Sequence, residues 1–122
     1  MEQRILVVAW HTKPGYLLEP VVCQIAHDAL RLSVWRAGGI AFACRVTPTD
    51  TRMVIHVPPG HDPGLHIEWV RAAARFAVAR MSAGAPPAWD DAYTYSWVRG
   101  ARVASEITAC LMHDVPWYPQ PH

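Results

Sequence analysis

Apolar and polar positions along the chain follow two periods, one of strands and one of helices. Residues 5–10 (Ile-Leu-Val-Val-Ala-Trp) form an unbroken apolar run, the pattern of a strand covered on both faces. Lys13, Pro14 and Gly15 break it. Glu19 and Pro20 open a helix, with proline at a first position where its missing N–H costs little. Val22, Ala26 and Leu30 keep helical spacing until Gly38 and Gly39 end the segment. Ile40, Phe42, Cys44 and Val46 then alternate with Ala41, Ala43 and Arg45. After the turn residues Pro48, Thr49 and Asp50, alternation resumes at Met53, Ile55 and Val57, which predicts a β-hairpin over 40–57. Pro58, Pro59 and Gly60 stop it.

A second helix is expected from about residue 64 to 81, with Leu65, Trp69, Ala73 and Phe76 as its buried stripe and Glu68, Arg71 and Arg75 on its outer face. Residues 85–91 read as a loop, 93–98 as a fourth strand and 101–113 as a third helix. The order β-α-β-β-α-β-α predicts an α+β, ferredoxin-like fold. Its four-stranded antiparallel sheet would take its middle strands from the hairpin and carry its helices on one face. Residues 1–114 form the expected single domain, and the proline-rich 115–122 a tail.

Composition narrows the function classes. In 122 residues, 52% are hydrophobic and 17% charged, which excludes a disordered solvating chain. The net charge of +1 argues against attachment to duplex DNA or an anionic membrane by bulk charge alone, and leaves room for a local basic face. Lys13 is the only lysine, so nearly all cationic chemistry rests on arginine, which suits planar bidentate contacts. Cys23, Cys44 and Cys110 are odd in number and widely spaced. With no secretory-type opening, a reduced, cytoplasmic setting is expected. The apolar runs fall far short of the roughly 18 residues a membrane span requires.

Several candidate groups remain. His56, His61 and His66 recur at intervals of five, a spacing that aligns them on no single element, and they read as ordinary loop and surface histidines. Asp50, Arg52, Val54 and His56 share one face of the second hairpin strand, either as an Asp50–Arg52 ion pair or as an acid–cation–imidazole cluster. On the third helix Arg102, Glu106, Cys110 and His113 fall in one stripe, with a solvated Arg102–Glu106 pair as the simplest account. Arg71 and Arg75, one turn apart, are candidate phosphate contacts.

This order of elements resembles the single-tyrosine HUH transposases, including their REP-associated relatives. The segment Trp10-His-Thr-Lys-Pro14 is similar to the Thr-Lys or Arg-Thr segment that follows their first strand, and Tyr93-Thr-Tyr-Ser-Trp-Val98 to their aromatic Phe-Ser-Val strand. Their hairpin carries Met-Pro-Asn-His-x-His, whose histidines bind Mg²⁺ or Mn²⁺. The matching stretch here, residues 47–55, has Asp50 and Arg52 at those two places. Their last helix carries Tyr-Ile-x-x-Gln. Here Ile107 and His113 match, while Glu106 stands for the nucleophilic tyrosine and Cys110 for the metal-binding glutamine. Nicking needs a metal to polarise the phosphate and a tyrosine to attack it.

The resemblance therefore implies a transposase-like domain that has lost metal-dependent nicking, needs no cofactor or metal, and binds a nucleic-acid hairpin or single strand through Arg71, Arg75 and exposed aromatics. It also implies a homodimer paired through sheet edges. The alternative is a metal-free acid–base enzyme acting on a small or peptidic substrate, in which Asp50 or Glu106 moves protons, Arg52 holds an anion and His113 assists.

Overall fold

The computed structural model describes residues 4–82 and 85–112. Its four strands, β1 (Ile5–His11), β2 (Ile40–Val46), β3 (Asp50–His56) and β4 (Thr94–Val98), form one antiparallel sheet in the order β2-β3-β1-β4. The helices are α1 (Pro20–Arg36), α2 (Pro63–Met81) and α3 (Ala101–Leu111). The α+β class and the four-stranded antiparallel sheet are those the sequence predicts. Two details differ. The hairpin supplies only one middle strand, β3, because β1 takes the other central place, with Val7 opposite Val54 of β3 and Ser96 of β4. The unbroken apolar run of β1 requires neighbours on both sides, whereas β2 leaves Ile40 and Phe42 exposed, as an end strand can.

The helices also occupy both faces rather than one. Leu6, Val8 and Trp10 of β1 pack with Met53 and Ile55 of β3 beneath α1 and α2, while Ile5, Val7, Val54, Ala43 and Val98 face the other way, beneath Val103, Ile107 and Cys110 of α3. A strand apolar at every position must be covered twice, and α3 is the second cover.

The hairpin turn is fixed by its own side chains. Thr47 Oγ1 donates to Asp50 Oδ1 at 2.8 Å, and the Asp50 amide donates back to Thr47 Oγ1 at 3.1 Å. After α1, Gly38 takes φ +84°. Gly39 passes so near β3 that an added Cβ would lie 2.4 Å from the His56 carbonyl oxygen. At the start of α2, Asp62 caps the helix by accepting from the Leu65 amide at 3.0 Å, with Pro63 behind it.

The buried stripe of α2 is not the predicted one. Ile67, Val70, Ala74 and Val78 face the core, whereas Leu65, Trp69 and Phe76 are 67%, 50% and 66% exposed. α1 packs against α2 and buries Ala26, Ala29 and Ser33 alongside Leu30 and Val34, while the bulky α2 residues turn outward. Arg71 goes inward with the small stripe, so the outer-face placement expected for it is corrected below. Among the described residues no helix is long and apolar enough to cross a membrane. The expected tail and His113 lie outside the described residues.

Candidate nucleic-acid interface

Two regions, on opposite faces of the sheet, emerge from the residues singled out in the sequence. The first is the sheet face beneath α3. Strand period places Asp50, Arg52 and Val54 of β3 on this face, and the β2–β3 register sets Arg45 directly opposite Arg52. Glu106, on the inner side of α3, meets Arg52 in a direct ion pair between Arg52 Nη2 and Glu106 Oε2. The Arg52 side chain is 7% exposed and that of Glu106 21%. One turn on, Cys110 Sγ donates to the Arg52 carbonyl at 3.5 Å, and Arg45 Nη1 donates to the Met112 carbonyl at 2.8 Å. Helix and hairpin are thus joined by a charge pair and hydrogen bonds around a small apolar patch.

The predicted cluster therefore forms in part. Arg52 and Glu106 meet, so Glu106 pairs across the fold rather than with Arg102 on its own helix. Asp50 is buried at the end of the same strand face, but its two oxygens accept from Thr47 Oγ1 and, at 3.2 Å, from Thr49 Oγ1. Its carboxylate is engaged in shaping the hairpin. Cys110 is no nucleophile at neutral pH: burial pushes its thiol up to about 11, against the smaller opposing pull of Arg52 and Arg45.

A catalytic Mg²⁺ or Mn²⁺ would need convergent hard oxygen or imidazole donors. The residues at the corresponding positions do not fit one: Arg52 brings a fixed positive charge, it neutralises Glu106, and Asp50 is taken up by two hydroxyls. Among the described residues no group of three or more His, Cys, Asp or Glu side chains is placed to hold a metal ion.

The second region lies at the β4 end of the other face. Arg71 is buried, with its guanidinium 4.8 Å from the Trp10 ring centroid and 5.5 Å from that of Tyr93. It donates to the Asp91 carbonyl at 2.9 Å and also to the Asp90 carbonyl. Arg71 is therefore a clamp on Asp90 and Asp91 and not the free phosphate contact the sequence suggested. Burial lowers its pKa. The same loop is tied to the end of β1, where the Lys13 amide donates to the Ala88 carbonyl at 2.7 Å and the Asp90 amide to the His11 carbonyl at 2.8 Å.

Arg75 is one-third exposed, 3.9 Å from the open carboxylate of Asp91. With Glu68, Arg71, Ala72, Asp91 and Tyr93 it lines a cavity of about 510 Å³. Beside the cavity, Tyr93 and Tyr95 stack with centroids 6.4 Å apart. Tyr95 and Trp97, 44% and 41% exposed, stand two residues apart on one side of the end strand, with the Arg4 guanidinium 5.1 Å over the Trp97 ring. A row of partly exposed aromatic rings beside arginines can stack bases and meet phosphates, although Arg4 already lies over Trp97 and donates to the Pro58 and His61 carbonyls, and Glu68 and Asp91 keep the local charge mixed. Sequence reasoning noted exposed aromatics without naming these two. The signal was the Tyr-x-Tyr-x-Trp alternation on a strand whose polar partners, Thr94 and Ser96, point the other way.

No protein-family model matches the sequence, and no curated protein matches it. Solved structures do match in fold. One is the crystal structure of a "putative transposase" from Deinococcus radiodurans R1, at TM-score 0.71 and 16% identity over 88% of this chain and 88% of that one. Another is a REP-associated tyrosine transposase bound to a REP hairpin, at TM-score 0.67 and 11% identity. It is matched over 90% of this chain, which spans 66% of that protein's length. These two likenesses show that the chain has a transposase-like fold.

Proposed function

We propose that this chain is a nucleic-acid-binding domain on a transposase-like scaffold, holding a hairpin or single strand without metal-dependent nicking. The observation behind this reading is the Arg52–Glu106 ion pair. The positions that correspond to a metal histidine and to the nucleophilic tyrosine do come together between β3 and α3, yet they neutralise one another. Neither can supply what phosphodiester cleavage requires. What remains suited to nucleic acid is the Tyr95–Trp97 row with Arg4 and Arg75 beside it. The hairpin held by the REP-associated transposase supports a structured nucleic acid as the ligand class. A reduced, cytoplasmic setting accords with three free, buried cysteines. Pairing of two copies through a sheet edge belongs to the same proposal, and sedimentation over a range of concentrations tests it.

The deciding experiment is a salt series with a stem-loop and a single strand of matched length. Affinity should fall steeply as salt rises, because each neutralised phosphate releases counterions. Trp97→Ala should weaken binding at every salt concentration, and Arg75→Ala should weaken it and flatten the slope. Absence of binding to any DNA or RNA at low salt, or binding untouched by both changes, overturns the reading. Arg71 is left intact in this test, because its loss would disturb the loop rather than report on phosphate.

A further inference from the structure

The chain enters α2 through Gly60-His61-Asp62-Pro63, with Asp62 as the N-cap. His61 is thus the residue before the cap, and His66 lies in the first full turn after it. Side chains at these two positions commonly meet and fix the angle at which a chain enters a helix, and the pair is ordinarily apolar. Here both are imidazoles. His61 Nδ1 and His66 Nδ1 lie 3.4 Å apart, with ring centroids 5.6 Å apart and planes tilted by 56°. The interval of five, which aligns no residues on a strand or a continuous helix, does align them across a helix cap.

We propose that His61 and His66 form a two-nitrogen clip for Zn²⁺ at the start of α2. Two nitrogens bound at about 2.0–2.1 Å to a tetrahedral ion are held roughly 3.3–3.4 Å apart, which is the separation already present. The clip opens on a groove of about 440 Å³ that Arg36, Asp62, Leu65 and Trp69 also line, so water can complete the ion's coordination. Asp62 and Arg36 bring opposite charges to that groove, and selectivity rests on the imidazoles, which favour zinc over a hard ion such as Mg²⁺. His66 is buried and His61 exposed, so one ligand is fixed by the core while the other closes from solvent. Burial, with His61 and His56 nearby, holds the His66 pKa below the ordinary histidine value. Its Nε2 is buried with no hydrogen-bond partner among the described residues, so the metal-bound tautomer places an unpaired N–H there, a cost that lowers the affinity of the clip.

The bonding differs between the two states in a way that can be read. Without metal, one Nδ1 must carry a proton to bond the other; with metal, both Nδ1 lone pairs face the ion and both rings carry their proton on Nε2. The site lies on the α1–α2 side, away from the Arg52–Glu106 face, and stands or falls separately from the nucleic-acid reading. Calorimetric titration of the full chain with Zn²⁺ should show one saturable site, and Mg²⁺ none. His61→Ala, a change at an exposed position, should weaken Zn²⁺ at least tenfold, and His61→Cys should restore it. Replacing both His113 and His122 by Ala should leave the site intact. Histidine ¹⁵N shifts should report the move of one proton from Nδ1 to Nε2. An isotherm unchanged by His61→Ala, loss of the site with His113 and His122, or no 1:1 binding at all would leave only an imidazole–imidazole contact and overturn the proposal.

Discussion

A double-mutant cycle on Arg52 and Glu106 tests how α3 is joined to the sheet. Removing one partner of a buried ion pair costs roughly 3–5 kcal/mol, because the other charge stays out of water. Arg52 is nearly enclosed at 7% exposure, but Glu106 reaches solvent at 21%, and Arg52 has further contacts. Glu106→Leu is therefore expected to cost about 2–3 kcal/mol, toward the low end. Arg52→Met should cost less, about 1 kcal/mol, since the carboxylate left behind can turn to water. The double variant replaces the pair with apolar groups of similar bulk and should lose only about 1 kcal/mol, giving a coupling of about 2–3 kcal/mol. Urea unfolding followed by tryptophan fluorescence gives the four stabilities, and thermal unfolding of Glu106→Leu should fall by roughly 8–12 °C for a chain of this size. Strictly additive single changes would mean that the pair does not form in solution, and the argument for a neutralised site would fall with it.

Arg71→Lys should cost about 1–2 kcal/mol, because an ammonium cannot span two carbonyls while lying flat between Trp10 and Tyr93, and limited proteolysis should then cut within residues 85–91. Gly39→Ala should destabilise by about 2–3 kcal/mol in denaturant, since its methyl would meet the His56 carbonyl; a neutral result would mean that α1 and β3 are less closely packed there. Iodoacetamide at pH 8 should leave Cys44 and Cys110 unmodified in the native protein and label both after unfolding, because burial pushes their thiols up to about 12 and about 11. Rapid native labelling of Cys110, read by mass spectrometry, would contradict the packing of α3.

Strand positions were readable because alternation and unbroken apolar runs leave few choices. Residues 5–10 could only be a doubly covered strand, and the turn at Pro48-Thr49-Asp50 dictated the hairpin. The face of α2 was not readable in the same way. Apolar residues occur around most of its circumference, so Leu65–Trp69–Phe76 competes with Ile67–Val70–Ala74–Val78, and bulk alone favours the wrong stripe. Packing against α1 and the sheet decides the matter, and that is a tertiary fact. Arg71 was misplaced for the same reason: a guanidinium between two aromatic rings is as well housed as an apolar side chain, but nothing local announces the rings. The side of the sheet taken by α3 was equally hidden, although both faces of β1 being apolar hinted at a second cover. On the candidate site, Arg52 and Glu106 could be paired only through the resemblance, since 54 residues separate them. The His61–His66 contact was visible in principle once Asp62 is recognised as a cap.

The separate placement of α3 has a consequence for motion. Among the described residues it is the one helix on its face, joined to β2 and β3 by a few apolar side chains and by the polar contacts of Arg45 and Arg52, and Cys110 is its only fully buried residue, while α1 and α2 brace each other across the opposite layer. Its amides should accordingly exchange with solvent through a partial opening well below the free energy of global unfolding, as a unit that lifts while the sheet and the α1–α2 pair persist. Such an opening would uncover the Arg45 and Arg52 guanidinium groups together, so that for as long as α3 is raised this otherwise nearly neutral protein would present a concentrated positive surface.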